Sequence, residues 1–173
     1  MNLIVAADLS WGIGLDQNLL VRIPEDMKFF KATTLGKVVV MGRTTFQSLP
    51  GSKPLSDRIN IVLTGDPEIL VAGAITCHSR RELFQVLALC QDSDIFVIGG
   101  ESVYRQLLSY CKEAYVTRIM ADLQADVHFP DLDGLAEWKL CEKSEVKSHG
   151  ELQYYFCRYE NTAVAVPEEL PVI

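Results

Sequence analysis

The stretch from Leu19 to Lys31, LLVRIPEDMKFFK, contains the residue whose surroundings point most directly to chemistry, Asp26. Pro24, fixed in φ and lacking an N–H, suits the first position of a helix, and the acids Glu25 and Asp26 follow where a helix start favours negative charge. In such a helix Met27 and Phe30 lie three apart and Asp26 lies four before Phe30, so the carboxylate shares a face with apolar side chains. The bland reading of Asp26 is a solvated acid serving the helix dipole. Glu25, however, can do that from a wetter position, which leaves Asp26 without a structural task. A carboxylate on apolar ground needs a partner, and a polar ligand is one.

Three further groups of residues have the chemistry to serve such a ligand. Gly42-Arg43-Thr44-Thr45-Phe46 follows the apolar run Lys37 to Met41, and Gly99-Gly100 follows Ile95 to Ile98. A strand running through glycine into a new helix start offers free backbone N–H groups to a phosphate, and Arg43 adds a charged fork. Many strand-to-helix turns carry Gly and Thr for turn and cap reasons alone. Two such turns at the carboxyl edges of parallel strands, however, make the crevice in which open α/β sheets bind nucleotides. Arg58 precedes the run Ile59 to Leu63. Its default reading is a solvated charge, its functional one a carboxylate clamp. Gly12 and Gly14 flank Ile13 in GIGLDQ, but Gln17 stands where a dinucleotide fingerprint would need a third glycine. That segment reads either as plain flexible loop or as a mobile flap over a ligand.

The elements that must position these residues follow from apolar runs. Leu3 to Ala7, Lys37 to Met41, Ile59 to Leu63, Ile95 to Ile98 and Ala114 to Ile119 are continuous rather than alternating, as strands buried on both faces are, with a short candidate at Ala74 to Cys77. Asp8 to Asn18 reads as loop. Gly36 stops the Asp26 helix, Ser79-Arg80-Arg81-Glu82 is a capping box, and a helix is expected from Glu101 to Tyr110. Trp138 to Lys143 and Leu152 to Tyr159, with His149-Gly150 at the turn, read as an antiparallel pair at a sheet edge. The class is therefore α/β: a single domain with a mostly parallel central sheet, an antiparallel C-terminal edge strand and flanking helices. Residues 1–160 form the domain, and 161–173, with two prolines and no periodicity, form a docked or loose C-terminal extension.

Composition bounds the function. The 173 residues, 49% of them hydrophobic, suffice for one core. A net charge of −7 disfavours nucleic acid and anionic membranes, so an anionic ligand must be captured by local cations. The five cysteines are scattered without metal spacing and read as reduced thiols of a cytoplasmic protein. His78, His128 and His149 read as ordinary surface residues, and no metal site is expected. The N-terminus lacks the features of a signal peptide, and no apolar run is long enough to span a membrane.

Taken together, the early strand, the Gly12/Gly14 loop, Ile23-Pro24-Glu25-Asp26-Met27-Lys28-Phe29-Phe30-Lys31, Val40-Met41-Gly42-Arg43-Thr44-Thr45-Phe46 and Val97-Ile98-Gly99-Gly100 with Val103-Tyr104 resemble the bacterial dihydrofolate reductase family over about residues 1–160. The resemblance implies NADPH-dependent reduction of 7,8-dihydrofolate to tetrahydrofolate, supporting one-carbon and thymidylate metabolism, by a cytoplasmic monomer. It implies that Asp26 is the single acid of the pterin pocket, binding the ring's amino and N3 positions and favouring protonation of N5, with Thr117 supporting it. Ile4, Val5, Leu19, Met27, Phe30, Thr45, Leu49, Leu55, Ile98 and Tyr104 would line the pterin and nicotinamide pockets, and Arg58 would hold the α-carboxylate of the glutamate tail. Ala6, Ile13, Gly42, Arg43, Thr44, Thr45, Leu63, Thr64, Gly65, His78, Gly99, Gly100, Ser102, Val103 and Tyr104 would hold the cofactor, with Arg43 at its 2′-phosphate. The chain departs from the family pattern at Val21, where Trp is frequent, at Ser102, where Arg is frequent, and at Val127, where Thr is common.

Two other readings are open at this level. One is a reductase of the same fold acting on a pyrimidine-type riboflavin precursor, against which Asp26 speaks, because an amidine-like pterin edge is what needs that acid. The other is a nucleotide-binding module without catalysis, which would not require Asp26 at all.

Overall fold

The computed structural model describes residues 1–16 and 18–167; Gln17 and the last six residues of the expected extension lie outside them. In chain order the elements are β1 (Asn2–Ala7), β2 (Gly12–Leu15), β3 (Asn18–Leu19), α1 (Pro24–Thr34), β4 (Val38–Gly42), α2 (Arg43–Ser48), β5 (Ile59–Leu63), β6 (Ile75–Cys77) and α3 (Arg80–Leu87). They continue with β7 (Ile95–Gly99), α4 (Glu101–Leu107), β8 (Glu113–Ile119), β9 (Val127–His128), β10 (Trp138–Lys143), β11 (Lys147–His149) and β12 (Leu152–Asn161).

The apolar runs pair in the order β10-β12-β8-β1-β7-β4-β5-β6. From β8 to β6 all neighbours are parallel, whereas β12 is antiparallel to β8 and β10 to β12. Alternation along the strands splits the core. Leu3, Val5, Val38, Val40, Ile61 and Val97 face one side with Leu83 and Leu87 of α3 and Leu107 of α4. Val39, Met41 and Val62 face the other with Phe46 of α2. Both faces being covered is why the runs are continuously apolar. Cys77, Cys111 and Cys157 are buried in this core, Cys90 is half-buried and Cys141 exposed, all as free thiols.

Helix ends follow local chemistry with small departures. Gly36, at φ +72°, takes the left-handed position just beyond α1. Ser79 accepts the Glu82 N–H at 3.2 Å, but Glu82 returns its bond to the N–H of His78 rather than of Ser79, one residue short of a true capping box. α4 ends at Leu107 and tightens into a 3₁₀ turn over Leu108–Tyr110. The His149-Gly150 turn joins β11 to β12, so β12 pairs with two successive strands, and β10 is the outermost.

The largest departure from expectation is the Asp8–Asn18 segment. It contains β2 and β3, which with β9 form a separate three-stranded antiparallel sheet. Strands of two to four residues carry too little pattern to be recognised, and their partner lies over a hundred residues away. Asp8, wholly buried, staples the base of this flap: Oδ1 accepts the N–H groups of Ser10 at 2.9 Å and Gly12 at 2.7 Å, and Oδ2 accepts that of Leu123 at 2.9 Å. Trp11 is buried against Phe129, with ring centroids 5.8 Å apart, and the Arg118 guanidinium lies 4.0 Å from its ring centroid. At the tip, Asp126 accepts the N–H of Asp16 at 3.1 Å and donates its own to Gly14 O at 3.1 Å.

Just beyond β12, Thr162 and Ala165 are bound to the domain. Thr162 N–H donates to Glu137 O at 2.7 Å and Ala165 N–H to Ser109 O at 2.8 Å.

Gly12 has no room for a side chain: an added Cβ would lie 2.3 Å from Ala125 Cβ and 2.9 Å from Asp8 Oδ1. Gly12→Ala is expected to cost about 1–3 kcal/mol by overpacking, read as a lower urea midpoint, with partial recovery when Ala125→Gly is added. An unchanged midpoint in Gly12→Ala would show that the flap base is not packed as described.

Candidate active site

A cleft of about 1150 Å³ opens at the carboxyl ends of β1, β4, β5 and β7, between α1 and the flap on one side and the starts of α2 and α4 on the other. Its deepest charged group is Asp26. The Asp26 carboxylate projects from the first turn of α1 into the cleft, where Oδ1 accepts the hydroxyl of Thr117 at 2.6 Å. Thr117 belongs to β8 opposite Ala6 of β1, is 2% exposed, and stands behind the acid rather than in the cleft wall. Burial pushes the Asp26 carboxyl above the usual range, and the Thr117 bond opposes that rise.

Glu25, one residue earlier, is in the opposite state. It is exposed, accepts Tyr154 Oη at 2.7 Å and pairs with Lys147 at 2.8 Å, and the Lys147 bond foremost holds its carboxyl below the usual range. The two acids of α1 thus divide as expected, one wet and structural, one sequestered in the cleft.

Around Asp26 the cleft brings together Ile4 and Val5 of β1, Leu19 of β3, Met27 and Phe30 of α1, Leu49 and Leu55 beyond α2, and Ile98 and Tyr104 near the end of β7. Tyr104 donates its hydroxyl to Ile4 O at 2.7 Å, tying α4 to β1 beneath the slot. Flat apolar walls with a single carboxylate suit a planar heterocycle with amidine-like donors. Val21 does not enter this wall; it packs against the cluster of Ile23, Ile119 and Tyr154.

Arg58 lies at the outer end of the same wall. Its Nε donates to Thr34 Oγ1 at 2.9 Å, and Thr34 donates to Phe30 O at 2.8 Å, so the last turn of α1 aims the guanidinium, whose carbon is 5.9 Å from the Phe30 ring centroid. Among the described residues no carboxylate lies within 4.0 Å of Arg58, leaving its outer nitrogens for a ligand. The sequence reading missed Thr34. The available signal was a Thr in a last helical turn, a position from which a hydroxyl bonds back to the carbonyl four residues earlier.

The second arm of the cleft runs past Ala6 and Ile13 toward β5 and β6. Neither α2 nor α4 has a side-chain cap; Gly42 and Gly100 precede them, and Thr44, Thr45, Ser102 and Val103 form the rim. Space here is tight. A Cβ on Gly42 would lie 3.1 Å from Val103 Cγ2, one on Gly100 3.2 Å from Thr45 Oγ1, and Gly99 holds φ +117°. Bare backbone amides in a close-walled groove suit a pyrophosphate. Leu63, Thr64, Gly65 and His78 continue the wall, and Arg43 projects beside them. His78 is half-buried there, and Val127 of β9 also borders the cleft. Every residue expected to line a pocket borders this one cleft; Thr117 alone stands behind it. No helix of the described residues is long and apolar enough to cross a membrane.

Comparison with known proteins bears on what this two-armed slot is. The family model described as dihydrofolate reductase matches residues 1–161. The chain is 34% identical over 163 residues to the dihydrofolate reductase of Bacillus subtilis, covering 92% of this chain and 94% of that one. It is 39% identical over 162 residues to that of Neisseria meningitidis serogroup B, covering 92% and 96%. Among solved structures, dihydrofolate reductase from Enterococcus faecalis, complexed with NADP(H) and RAB-propyl, superposes with a TM-score of 0.78 at 30% identity, covering 92% of this chain and 95% of that one. Family model, relatives and fold agree over the segment that builds the cleft: the chain belongs to the dihydrofolate reductase family.

Proposed function

We infer that this chain reduces 7,8-dihydrofolate to 5,6,7,8-tetrahydrofolate with NADPH, C6 of the pterin accepting a hydride and N5 a proton. The observation that carries this reading is Asp26, half-buried in an apolar slot that continues into a glycine-walled groove. Bound NADPH supplies the hydride. Everything else falls to the chain's own residues, which hold two flat rings together in a dry slot and bias one proton.

In this reading Asp26 accepts hydrogen bonds from the pterin's amino group and N3, and its raised pKa keeps a proton available nearer to neutral pH than an ordinary aspartate would. Ile4, Val5, Leu19, Met27, Phe30, Leu49, Leu55, Ile98 and Tyr104 enclose the rings, and Thr117 holds Asp26 in place. Arg58, aimed by Thr34, takes the α-carboxylate of the glutamate tail. Gly42, Arg43, Thr44, Thr45, Gly99, Gly100, Ser102 and Val103 grip the pyrophosphate and its flanks, Ala6, Ile13 and Tyr104 border the nicotinamide, and Leu63, Thr64, Gly65 and His78 receive the adenosine. Residues 1–160 serve as the catalytic domain and 161–173 as an extension. The net charge of −7 supports a protein that avoids nucleic acid and anionic membranes, the five free thiols support a cytoplasmic one, and a cleft lined within one chain needs no second copy, which supports a monomer.

NADPH oxidation, followed by loss of absorbance, is expected only when dihydrofolate is present. Asp26→Asn should lower kcat at neutral pH by on the order of a hundredfold, the weight of one general acid, and leave the Kd for NADPH within about twofold, since the acid lies in the pterin arm. Wild-type turnover in that variant would remove Asp26 from the mechanism. Arg58→Leu should raise KM for dihydrofolate by on the order of a hundredfold, as loss of a charge-assisted clamp does, with little change in KM for NADPH. Equal effects on both substrates would refute the tail-clamp role.

A further inference from the structure

The far end of the cofactor arm contains a cation to which no role has been assigned. Arg80, exposed on the first turn of α3, borders the cleft, whereas Arg81 beside it does not. A chain of contacts puts Arg80 at the same end as Arg43. Arg43 Nη1 lies 3.7 Å from Asp66 Oδ2, the Asp66 carbonyl accepts His78 Nδ1 at 3.1 Å, and His78 leads through Ser79 into α3. Among the described residues no carboxylate lies within 4.0 Å of Arg80. Its guanidinium is therefore unpaired.

Local chemistry gives Arg80 no task. A helix start favours acids, and a cation there opposes the dipole. α3 is closed instead by Ser79, whose Oγ accepts the Glu82 N–H at 3.2 Å, and the acid of its first turn is Glu82. The cleft, by contrast, has use for a second cation. Ser102, on the α4 side, accepts a bond from Gln106 at 3.0 Å and carries no charge, and Glu101 is engaged with Arg105 at 2.9 Å. Asp66 stands outside the cleft wall but close enough to offset part of the Arg43 charge. A dianionic group meeting Arg43 alone would gain little from it; Arg80 makes this end of the arm positive.

We propose that Arg80 determines cofactor specificity together with Arg43: it supplies from α3 the second charge for the 2′-phosphate of NADPH, a charge that α4 lacks at Ser102. The inference deepens the proposed reaction and rests on its cofactor arm. Charge-assisted bonds from a guanidinium to phosphate oxygens have no counterpart in NADH, whose 2′-hydroxyl is neutral. Selectivity is a difference between two affinities, and only that for the phosphorylated cofactor responds to the loss of Arg80.

The test is a fluorescence titration of the wild type, Arg80→Gln and Arg81→Gln with NADPH and with NADH. Arg80→Gln is expected to raise the Kd for NADPH by on the order of tenfold, the weight of one charge-assisted contact, and to hold that for NADH within about twofold. Arg81→Gln removes the same charge from the chain but not from the cleft, and should leave both affinities unchanged. Added salt should narrow the gap between the wild type and Arg80→Gln, since an exposed charge is screened. With dihydrofolate present, kcat/KM for NADPH should fall in parallel while KM for dihydrofolate holds. An unchanged NADPH affinity in Arg80→Gln, an equal loss for both cofactors, or an equal loss in Arg81→Gln overturns the inference. Affinities that shift as expected, with no oxidation of NADPH when dihydrofolate is added, would instead sink the proposed reaction and leave the role of Arg80 standing.

Discussion

The hydrogen bond from Thr117 to Asp26 is the contact on which the site depends, because it ties the one sequestered acid to the most constrained part of the sheet. β8 is paired on one side with β1 over six residues and on the other with β12 over seven, so Thr117 cannot shift without breaking both ladders. α1 is secured a second time, from its outer side, by Glu25 bonding Tyr154 of β12 and Lys147 of β11. With one acid anchored outward and the next inward, the helix start has a defined rotation. That rotation puts Met27 and Phe30 in the cleft wall and, through Thr34 in the last turn, aims Arg58.

The arrangement has a thermodynamic cost whose sign is set by burial. Asp26 titrates at a higher pH in the fold than in the unfolded chain, so between those two values the folded state holds the extra proton. Stability is therefore greatest with Asp26 protonated and falls as the pH rises through its folded-state pKa. Nothing in the packing demands an acid at this position, and the Thr117 hydroxyl could equally serve an amide. The carboxylate is retained at the expense of stability, as is common for groups that do chemistry.

The strands, the acid and the candidate clamp Arg58 were legible in the sequence; the residues that aim the clamp and the pairing that builds the flap were not. Val38 to Met41, Ile61 to Leu63 and Ile95 to Val97 are buried on both faces, so local composition alone identified them. The Pro24-Glu25-Asp26 start specified both a helix and the division of labour between its two acids, since helical spacing fixes which side chains share a face. Asp8 appeared as an ordinary loop acid because its three backbone partners include Leu123, which only the folded chain brings near. β2, β3, β9 and β11 are two to four residues long and exist through long-range or hairpin pairing, which no local pattern encodes. Thr34 was silent for a related reason: it acts by aiming an arginine, and an arginine's direction is a property of the tertiary structure.

The most direct measurement of the central claim is an NMR titration of the Asp26 side-chain carboxyl carbon in the protein free of ligands, with assignment confirmed by its loss in Asp26→Asn. A carboxyl buried in the slot and held by Thr117 titrates with a midpoint clearly above the value of about 3.9 for an ordinary aspartate. A midpoint at or below that value would mean the side chain stands in water, and would contradict the assignment of Asp26 as the proton-biasing group of the cleft.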